Sequence, residues 1–450
     1  MSVQRHTLDN GLSVVLKESR SAPVTTFWVW YRVGSRHEVP GITGIAHWAE
    51  HMMFKGTDAF PKGEIDKQIA RAGGSMNGLT WLDFTTFFET LPAERVELGL
   101  RIEADRMVNS LFDPGEVERE RTVIISERQG AENEPTFLLG EEVVGAAFRV
   151  HPYHHDTIGD LCDLERITRE DLWQHYRRYY GPDNAIAVAV GDFRPAEMLA
   201  SIEHHFGAIP PRADPREVKR TEPVQQGERR VSLEGPGNTA YLQAVYHAPA
   251  ASDPGFFPLM VLATILAGAP ALSIFGGGAP NRSSRLYKAL VDTGRAAGVS
   301  ASLYPMHDPF LLDISATVRA GRTPAEVEEA MDAELERAAA HAVSEEELLT
   351  AIKQAKAQFS YSSESVTNQG FWLGWSSIVA DPGWFGSFVD RLSTVTAEDV
   401  QRSAKAVLAR RNRTVGHYLP QGLLPASARA AGAQGAAPGA GEPILMESAA

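Results

Sequence analysis

The chain has 450 residues, 43% of them hydrophobic and 22% charged, with a formal net charge of −14. That length allows two to four domains with sizeable cores, and the acidic balance argues against nucleic acid as the main partner, since phosphate binding needs a basic stripe. The single cysteine, Cys162, excludes an intrachain disulfide or a cysteine-built metal site, and a free cysteine is expected to be buried.

The start, Met1 to Leu16, reads as a strand with a turn at Asp9-Asn10-Gly11, not as a signal peptide. Leu12 to Lys17 and Thr25 to Val33 have strand character, and a helix is expected around Thr43 to Phe54. A second helix runs from Lys62 to Ala72, and Ser75 to Leu91 is strand-rich. Long helices are expected through about Arg106 and from Pro114 to about Arg128, then a helix near Arg169 to Tyr180 and a strand from Ala185 to Val190. Strands at Ala240 to Tyr246 and Phe310 to Val318 follow, with helices at Pro258 to Ala267, Ser284 to Asp292, Pro324 to Ala340 and Ser344 to Ser360.

One internal echo stands out. Ile167-Thr168-Arg169-Glu170-Asp171-Leu172 before one strand resembles Val395-Thr396-Ala397-Glu398-Asp399-Val400 before Thr414 to Tyr418. A repeat of this period predicts two copies of one α+β domain, each a mixed sheet packed with helices. The expected division is 1–212, a Pro/Arg/Glu-rich linker at 213–230, a second copy at 231–424, and an Ala/Gly-rich tail at 425–450 lacking the large apolar residues that offset ordering entropy. No apolar run approaches the roughly 20 residues needed to cross a bilayer, so no membrane span is expected. A chain without disulfides fits the cytosol but also an exported protein whose leader has been removed.

The chemistry concentrates at Thr43 to Phe54. Ile45, Trp48, Ala49, Met52 and Met53 recur at i, i+3, i+4, i+7 and i+8, one apolar stripe of a helix. His47, Glu50, His51 and Phe54 form a second stripe, with Thr43 expected to cap the start and Gly56 to end the helix. Imidazoles at i and i+4 project from successive turns, so both reach one ion, and zinc accepts neutral imidazole nitrogens. Glu50 points aside and is placed to take a proton from the attacking water, the inverted order of the His-Glu-x-x-His motif. Three fixed residues also occur by chance. A further ligand must come from elsewhere. Asp113-Pro114-Gly115-Glu116 starts a helix well, and Glu116, Glu120, Val123 and Glu127 share one face of it. Glu120 and Glu127 lie roughly 10.5 Å apart along the axis, so only one of them can join the ion. On the residues alone, a solvated acidic face is the simpler reading of both.

Taken together, His47-Trp-Ala-Glu-His-Met-Met-Phe-Lys-Gly-Thr57 and Glu118-Arg-Glu120-Arg-Thr-Val-Ile-Ile-Ser-Glu127 resemble the two metal helices of the pitrilysin family of inverzincins, which includes insulin-degrading enzyme and the mitochondrial processing peptidases. The resemblance covers about residues 5–420 and is weaker in the second half. It implies one zinc ion per chain held by His47, His51 and Glu127, with Glu50 as base and Glu120 as a supporting carboxylate. Gly73-Gly74-Ser75-Met76-Asn77-Gly78-Leu79-Thr80 resembles the strand that pairs with extended substrate, which implies substrate contacts at Asn77, Gly78, Leu79 and Thr80. Phe54 matches a residue lining the pocket just after the scissile bond. His151-Pro152-Tyr153 is similar to a segment of structural role. The implied architecture is two homologous α+β domains, and the family closes two such units around a chamber.

Two departures matter. Pro258 to Ala267, which matches the zinc helix in the second copy, has no His or Glu, as is usual in the family. Self-sufficient members also carry an Arg and a Tyr in the second half that contact the substrate backbone. The matching positions here are Val291 and Val299, with Arg285, Tyr287 and Arg295 nearby but out of register. The resemblance therefore implies a zinc metalloendopeptidase subunit acting on peptides or unfolded chains, paired with a zinc-less subunit that supplies the missing donors. A homodimer ranks lower, since it lacks the pair in both copies. Bacterial two-subunit relatives are often exported, which tilts the expectation to the periplasm over the cytoplasm. The competing reading is a non-catalytic core subunit of a larger complex. A separate metal site at His151, His154 and His155, or at His204 and His205, is disfavoured against ordinary loop and surface histidines.

Overall fold

The structure is a computed structural model that describes residues 3–270, 279–381 and 383–421; the tail expected at 425–450 lies outside the described residues. The first half runs β1 (Gln4–Thr7), β2 (Ser13–Glu18), β3 (Val24–Tyr31), α1 (Ile45–Met53), α2 (Glu64–Arg71), β4 (Ser75–Thr80), β5 (Thr85–Pro92), α3 (Val96–Asn109), α4 (Pro114–Ala131), α5 (Pro135–Ala147), α6 (Leu161–Leu164), α7 (Arg169–Tyr179), β6 (Ala185–Gly191) and α8 (Pro195–Phe206). The second runs β7 (Arg229–Gly235), β8 (Tyr241–Ala248), α9 (Phe256–Ala267), the two-residue pair β9 (Gly268–Ala269) and β10 (Ala279–Pro280), β11 (Ala296–Leu303), β12 (Phe310–Val318), α10 (Pro324–Ala340), α11 (Glu345–Ser362), α12 (Val366–Val379), α13 (Trp384–Ser393), α14 (Ala397–Val407) and β13 (Arg413–Pro420).

Two mixed sheets carry the fold, in the orders β1-β2-β6-β3-β5-β4 and β11-β12-β8-β13-β7. Without the edge strand β1, they are the same sheet twice. In each, the last strand pairs parallel with the first and antiparallel with the second: β6 with β2 and β3, β13 with β7 and β8. The echo falls where this predicts. Thr168 with Asp171, and Thr396 with Asp399, form reciprocal capping boxes at the starts of α7 and α14, each just before that last strand. No helix among the described residues is long and apolar enough to cross a membrane.

Each half lends a helix to the other. In β3, alternate residues Phe27, Val29 and Tyr31 enter the core under α1, while Trp28 and Trp30 face the opposite way into the larger core. There α12, from the second half, lies across β3 and β6. Gly370 and Gly374 make this approach possible, since a Cβ would come within 2.4 Å of the Trp28 indole nitrogen and 2.0 Å of that of Trp30. Reciprocally, α5 lies on β13, β7 and β8, and a Cβ on Gly416 would sit 2.3 Å from Val143. A polar junction joins the halves: Arg36 and His151 both bind the Asp308 carboxylate, and Asp83 and the Tyr153 hydroxyl accept from the backbone amides of His307 and Asp308.

Several expectations need correction. The helices α5, α12 and α13 and the strand β11 have no counterpart in the expected elements, and β7 begins at Arg229, inside the stretch read as linker. Helix α5 packs on the other half's sheet through the single row Leu139, Val143 and Ala147, whereas α12 is buried over most of its length and so lacks the two-sided pattern that marks a surface helix. The helix expected at Ser284 to Asp292 is present over 285–291, but it winds as a π turn at Tyr287–Val291. Cys162 is exposed, because it lies on the outer side of the one-turn α6 while Asp163 and Leu164 turn inward.

Candidate metal centre

Helix α1 buries Ile45, Ala46, Trp48, Ala49, Met52 and Met53 and turns His47 and His51 to the opposite side. Thr43 does not cap it. The cap residue is Gly44, in the left-handed region at φ 85°, and the first orphan amides of the helix are satisfied from a distance. The Glu38 carboxylate accepts from Gly44 N at 2.9 Å and Ala46 N at 2.8 Å, while the Thr43 hydroxyl donates to Asp163 at 2.8 Å. Helix α4 begins as the sequence predicts, with Asp113 accepting from Glu116 N and Pro114 in the first turn.

The two helices bring His47, His51 and Glu127 together, each offering one ligand atom within 4.8 Å of the others. The imidazole Nε2 atoms of His47 and His51 stand 3.1 Å apart, and His51 Nε2 lies 3.8 Å from Glu127 Oε2. Two nitrogens at about 2.0–2.1 Å from one tetrahedral zinc are separated by roughly 3.3 Å, so this spacing fits such an ion. Burial, reinforced by His51, pushes His47 down to about 3, which keeps it in the neutral form that ligates. Burial works against a charge on His51 too, but hydrogen bonding to Glu120 and the carboxylates Glu50, Glu127 and Glu120 outweigh it and raise it. A site that draws positive charge onto an imidazole among three carboxylates suits a divalent cation. Among the described residues this is the one group of three or more His, Cys, Asp or Glu with such geometry.

Glu120 sits behind the group of His47, His51 and Glu127. Its Oε1 meets His51 Nδ1 at 2.8 Å, the nitrogen turned away from His47, and its other oxygen is held by Lys55. That is the arrangement by which an outer carboxylate fixes a ligating imidazole's tautomer and direction. Lys55, one turn beyond His51, was not anticipated, although its i+4 spacing from His51 was open to reading. Glu116 turns away to Lys62 and Arg119.

Glu50 is buried beside this cluster, and its Oε2 accepts from the Thr80 hydroxyl at 2.8 Å. Burial raises it to about 7, against the lowering effect of Thr80 and His51. A carboxyl poised there is able to take and return a proton near neutral pH. The strand β4 is the outer edge of its sheet, bonded only to β5, so its other row of backbone groups faces no strand. Gly78 on this edge presses directly on Glu50: a Cβ there would lie 2.7 Å from Glu50 Oε1 and 2.7 Å from the Phe54 ring. Asn77 is exposed and Leu79 half-buried, whereas Thr80 is buried and its side chain points to Glu50. The Phe54 ring packs against Phe87 and over the Arg106 guanidinium, 4.7 Å from its centroid.

The other histidine clusters read from the sequence form no group of three with metal-site geometry among the described residues. His151 binds Asp308, His155 binds Glu38, exposed His154 meets His155, Nδ1 to Nδ1 at 3.4 Å, and His205 pairs with Glu97. In the second half Val291 ends the π turn and Val299 lies on β11, while Arg285 is engaged by both oxygens of Glu347 at 2.7 Å.

Residues 13–161 match the family described as "Insulinase (Peptidase family M16)", and residues 166–355 match "Peptidase M16 inactive domain". The chain is 32% identical over 302 residues to the zinc protease PqqE of Helicobacter pylori, covering 66% of this chain and 65% of that protein. It is 27% identical over 263 residues to the mitochondrial-processing peptidase subunit beta of Lentinula edodes, covering 58% of this chain and 56% of that one. The matched stretch thus spans less than two thirds of either relative. The crystal structure of a protease from Helicobacter pylori superposes with a TM-score of 0.87 at 25% identity, covering 93% of this chain and 99% of that one.

Proposed function

The chain belongs to peptidase family M16, and from that premise we propose that it is the zinc-bearing subunit of an endopeptidase that cleaves extended or unfolded peptides. The observation that carries this reading is the convergence of His47, His51 and Glu127 beside the buried Glu50 and the free edge of β4.

His47, His51 and Glu127 are the residues that would hold zinc, which when bound supplies Lewis acidity toward a carbonyl and an attacking water. Glu50 takes the proton of that water and delivers it to the nitrogen of the departing amine, the two tasks that a carboxyl near pH 7 performs in turn. Glu120 keeps His51 oriented. The edge of β4 receives the peptide backbone by strand addition over Asn77, Gly78 and Leu79, and Phe54 lines the pocket beyond the scissile bond. Thr80 acts one step back, holding the Glu50 carboxyl.

The second half bears on the partner. Valines at 291 and 299 donate no hydrogen bond, and Arg285 is spent on Glu347. Loss of one donor to a developing oxyanion costs about 10²–10³ in rate. The working species in this reading is a heterodimer in which a zinc-less family member supplies such donors.

The test is a peptide-cleavage assay with metal analysis on the purified chain, on Glu50→Gln, and on the chain co-purified from its host. Expected are one zinc per chain in all three samples, turnover reduced on the order of 10²–10⁴-fold by Glu50→Gln, and full activity only in the co-purified complex. A Glu50→Gln protein that cleaves normally removes the base assignment. A zinc-loaded complex without peptidase activity leaves a scaffold role instead, and a fully active single chain removes the heterodimer.

A further inference from the structure

Glu127 reaches the two histidines only if α1 and α4 hold a fixed separation, and one segment touches both helices: His155 to Ile167. On the α1 side, His155 Nε2 meets Glu38 Oε2 at 2.9 Å, and Glu38 in turn binds the first amides of α1. The Asp163 Oδ2 atom accepts from Gly41 N, Thr43 N and the Thr43 hydroxyl, and Asp160 N donates to that same hydroxyl at 2.9 Å. The backbones meet without side chains between them: at Gly159, φ 83°, a Cβ would lie 2.4 Å from Thr43 O and 2.5 Å from the Gly44 Cα. On the α4 side, Arg121 donates to Leu164 O at 2.5 Å and Ile167 O at 2.8 Å, and Arg128, next to Glu127, donates to Gly159 O at 3.2 Å. The Arg121 guanidinium also covers the Trp48 ring of α1, 4.8 Å from its centroid. None of these residues is a metal ligand or touches the base.

We propose that the segment His155–Ile167 is a brace that sets the separation of α1 and α4 and so closes the ligand triangle, with His155, Asp163 and Glu38 as its positioning residues. The brace also borders the 870 Å³ cleft between the two halves, which His155, Asp156, Asp160 and Arg128 line together with Ser302 and Asp313 of the second half. Whatever peptide occupies that cleft therefore lies against the element that aligns the metal helix.

The inference rests on the metal-centre reading above, and its test separates the two. Zinc dissociation constants are measured by competition with a chromophoric chelator on the full chain and on five variants. His155→Leu and Asp163→Leu remove the struts while keeping bulk. His155→Gln keeps a donor near Nε2, and Asp163→Asn keeps one amide oxygen as the acceptor for the Gly41 and Thr43 donors. His417→Leu is a control that breaks a comparable ion pair with Glu328, 2.8 Å, far away in the second half. Both leucine variants are expected to bind zinc roughly 10–100-fold more weakly, the usual consequence of losing an outer support. The Gln and Asn variants should stay within a few-fold of the parent, and His417→Leu should equal it. If the leucine variants do not fold, Arg121→Gln tests the α4 strut from the surface and should weaken zinc severalfold. Parent-like zinc affinity in folded leucine or Arg121→Gln variants overturns the brace alone. A parent chain that binds no zinc overturns the metal-centre reading, and the brace with it.

Discussion

Helices α1 and α9 occupy equivalent places in the two halves, each following the second strand of its repeated sheet, and they have opposite fates. In α9 every residue except Pro258 is buried, and α11, α13 and α14 pack around it. In α1 one stripe is buried just as deeply, but His47 and His51 remain partly open opposite α4 and β4. A helix enclosed on all sides has no room for an ion or a peptide, and it has no use for groups that would need desolvating. The same scaffold thus spends one copy on packing and leaves a gap in the other. What creates the gap is the neighbourhood: Glu127 on α4, Gly78 on β4 and the buried Glu50 between them.

Four measurements press on this contrast. The largest effect is expected from Glu127→Ala, which should release zinc on dialysis while leaving the fold intact; retention of stoichiometric zinc would show that the open side of α1 does not need α4. Gly78→Ala comes next. The added Cβ collides with Glu50 and Phe54, and a misplacement of this size should lower kcat/KM about 10²-fold with zinc still bound. Unaltered kinetics would mean that β4 has freedom to move away. Leu262→Ala in the enclosed helix should do the reverse, costing about 2–5 kcal/mol of unfolding free energy in urea melts without changing zinc affinity. A loss of zinc there would tie the two copies together more closely than their packing indicates. The smallest effect concerns the junction between halves. Burial disfavours a charged Asp308, yet His151 and Arg36 outweigh it and hold the carboxyl at about 2. A carboxylate with a depressed folded pKa stabilises above its unfolded value of about 3.9 and loses that contribution as pH falls toward 2. The stability gap between the parent and Asp308→Asn should accordingly be constant near neutrality and close between about pH 4 and pH 2; a gap that persists at pH 2 would place the contribution elsewhere.

Much of this was readable in the chain because it is local. The spacing of His47, Glu50 and His51 against Ile45, Trp48 and Met52 marks a helix with one apolar and one reactive side, and helical periodicity needs no partner to be seen. The Thr-x-x-Asp boxes at 168 and 396 revealed the duplication for the same reason, since a cap is completed within one turn. Other features escaped because they are satisfied across long distances. Helices α5 and α12 lie on the opposite half's sheet, so their patterns answer to surfaces far away in sequence. Thr43 looked like the cap of α1, whereas Glu38 does that work and Thr43 is bound to Asp163.

The sequence by itself determined the duplicated α+β architecture, the reactive helix and the class of ion that its side chains suit. Spacing alone left Glu116, Glu120 and Glu127 as points on one acidic helix face, and only the family resemblance singled out Glu127 and Glu120. The tertiary structure supplies the physical reason: the approach of α4 to α1 brings Glu127 to the face of His51 that His47 shares, puts Glu120 behind that ring, and leaves Glu116 to Lys62 and Arg119. Ligation depends on where lone pairs point, to within tenths of an ångström, and that is fixed by how two helices are held apart.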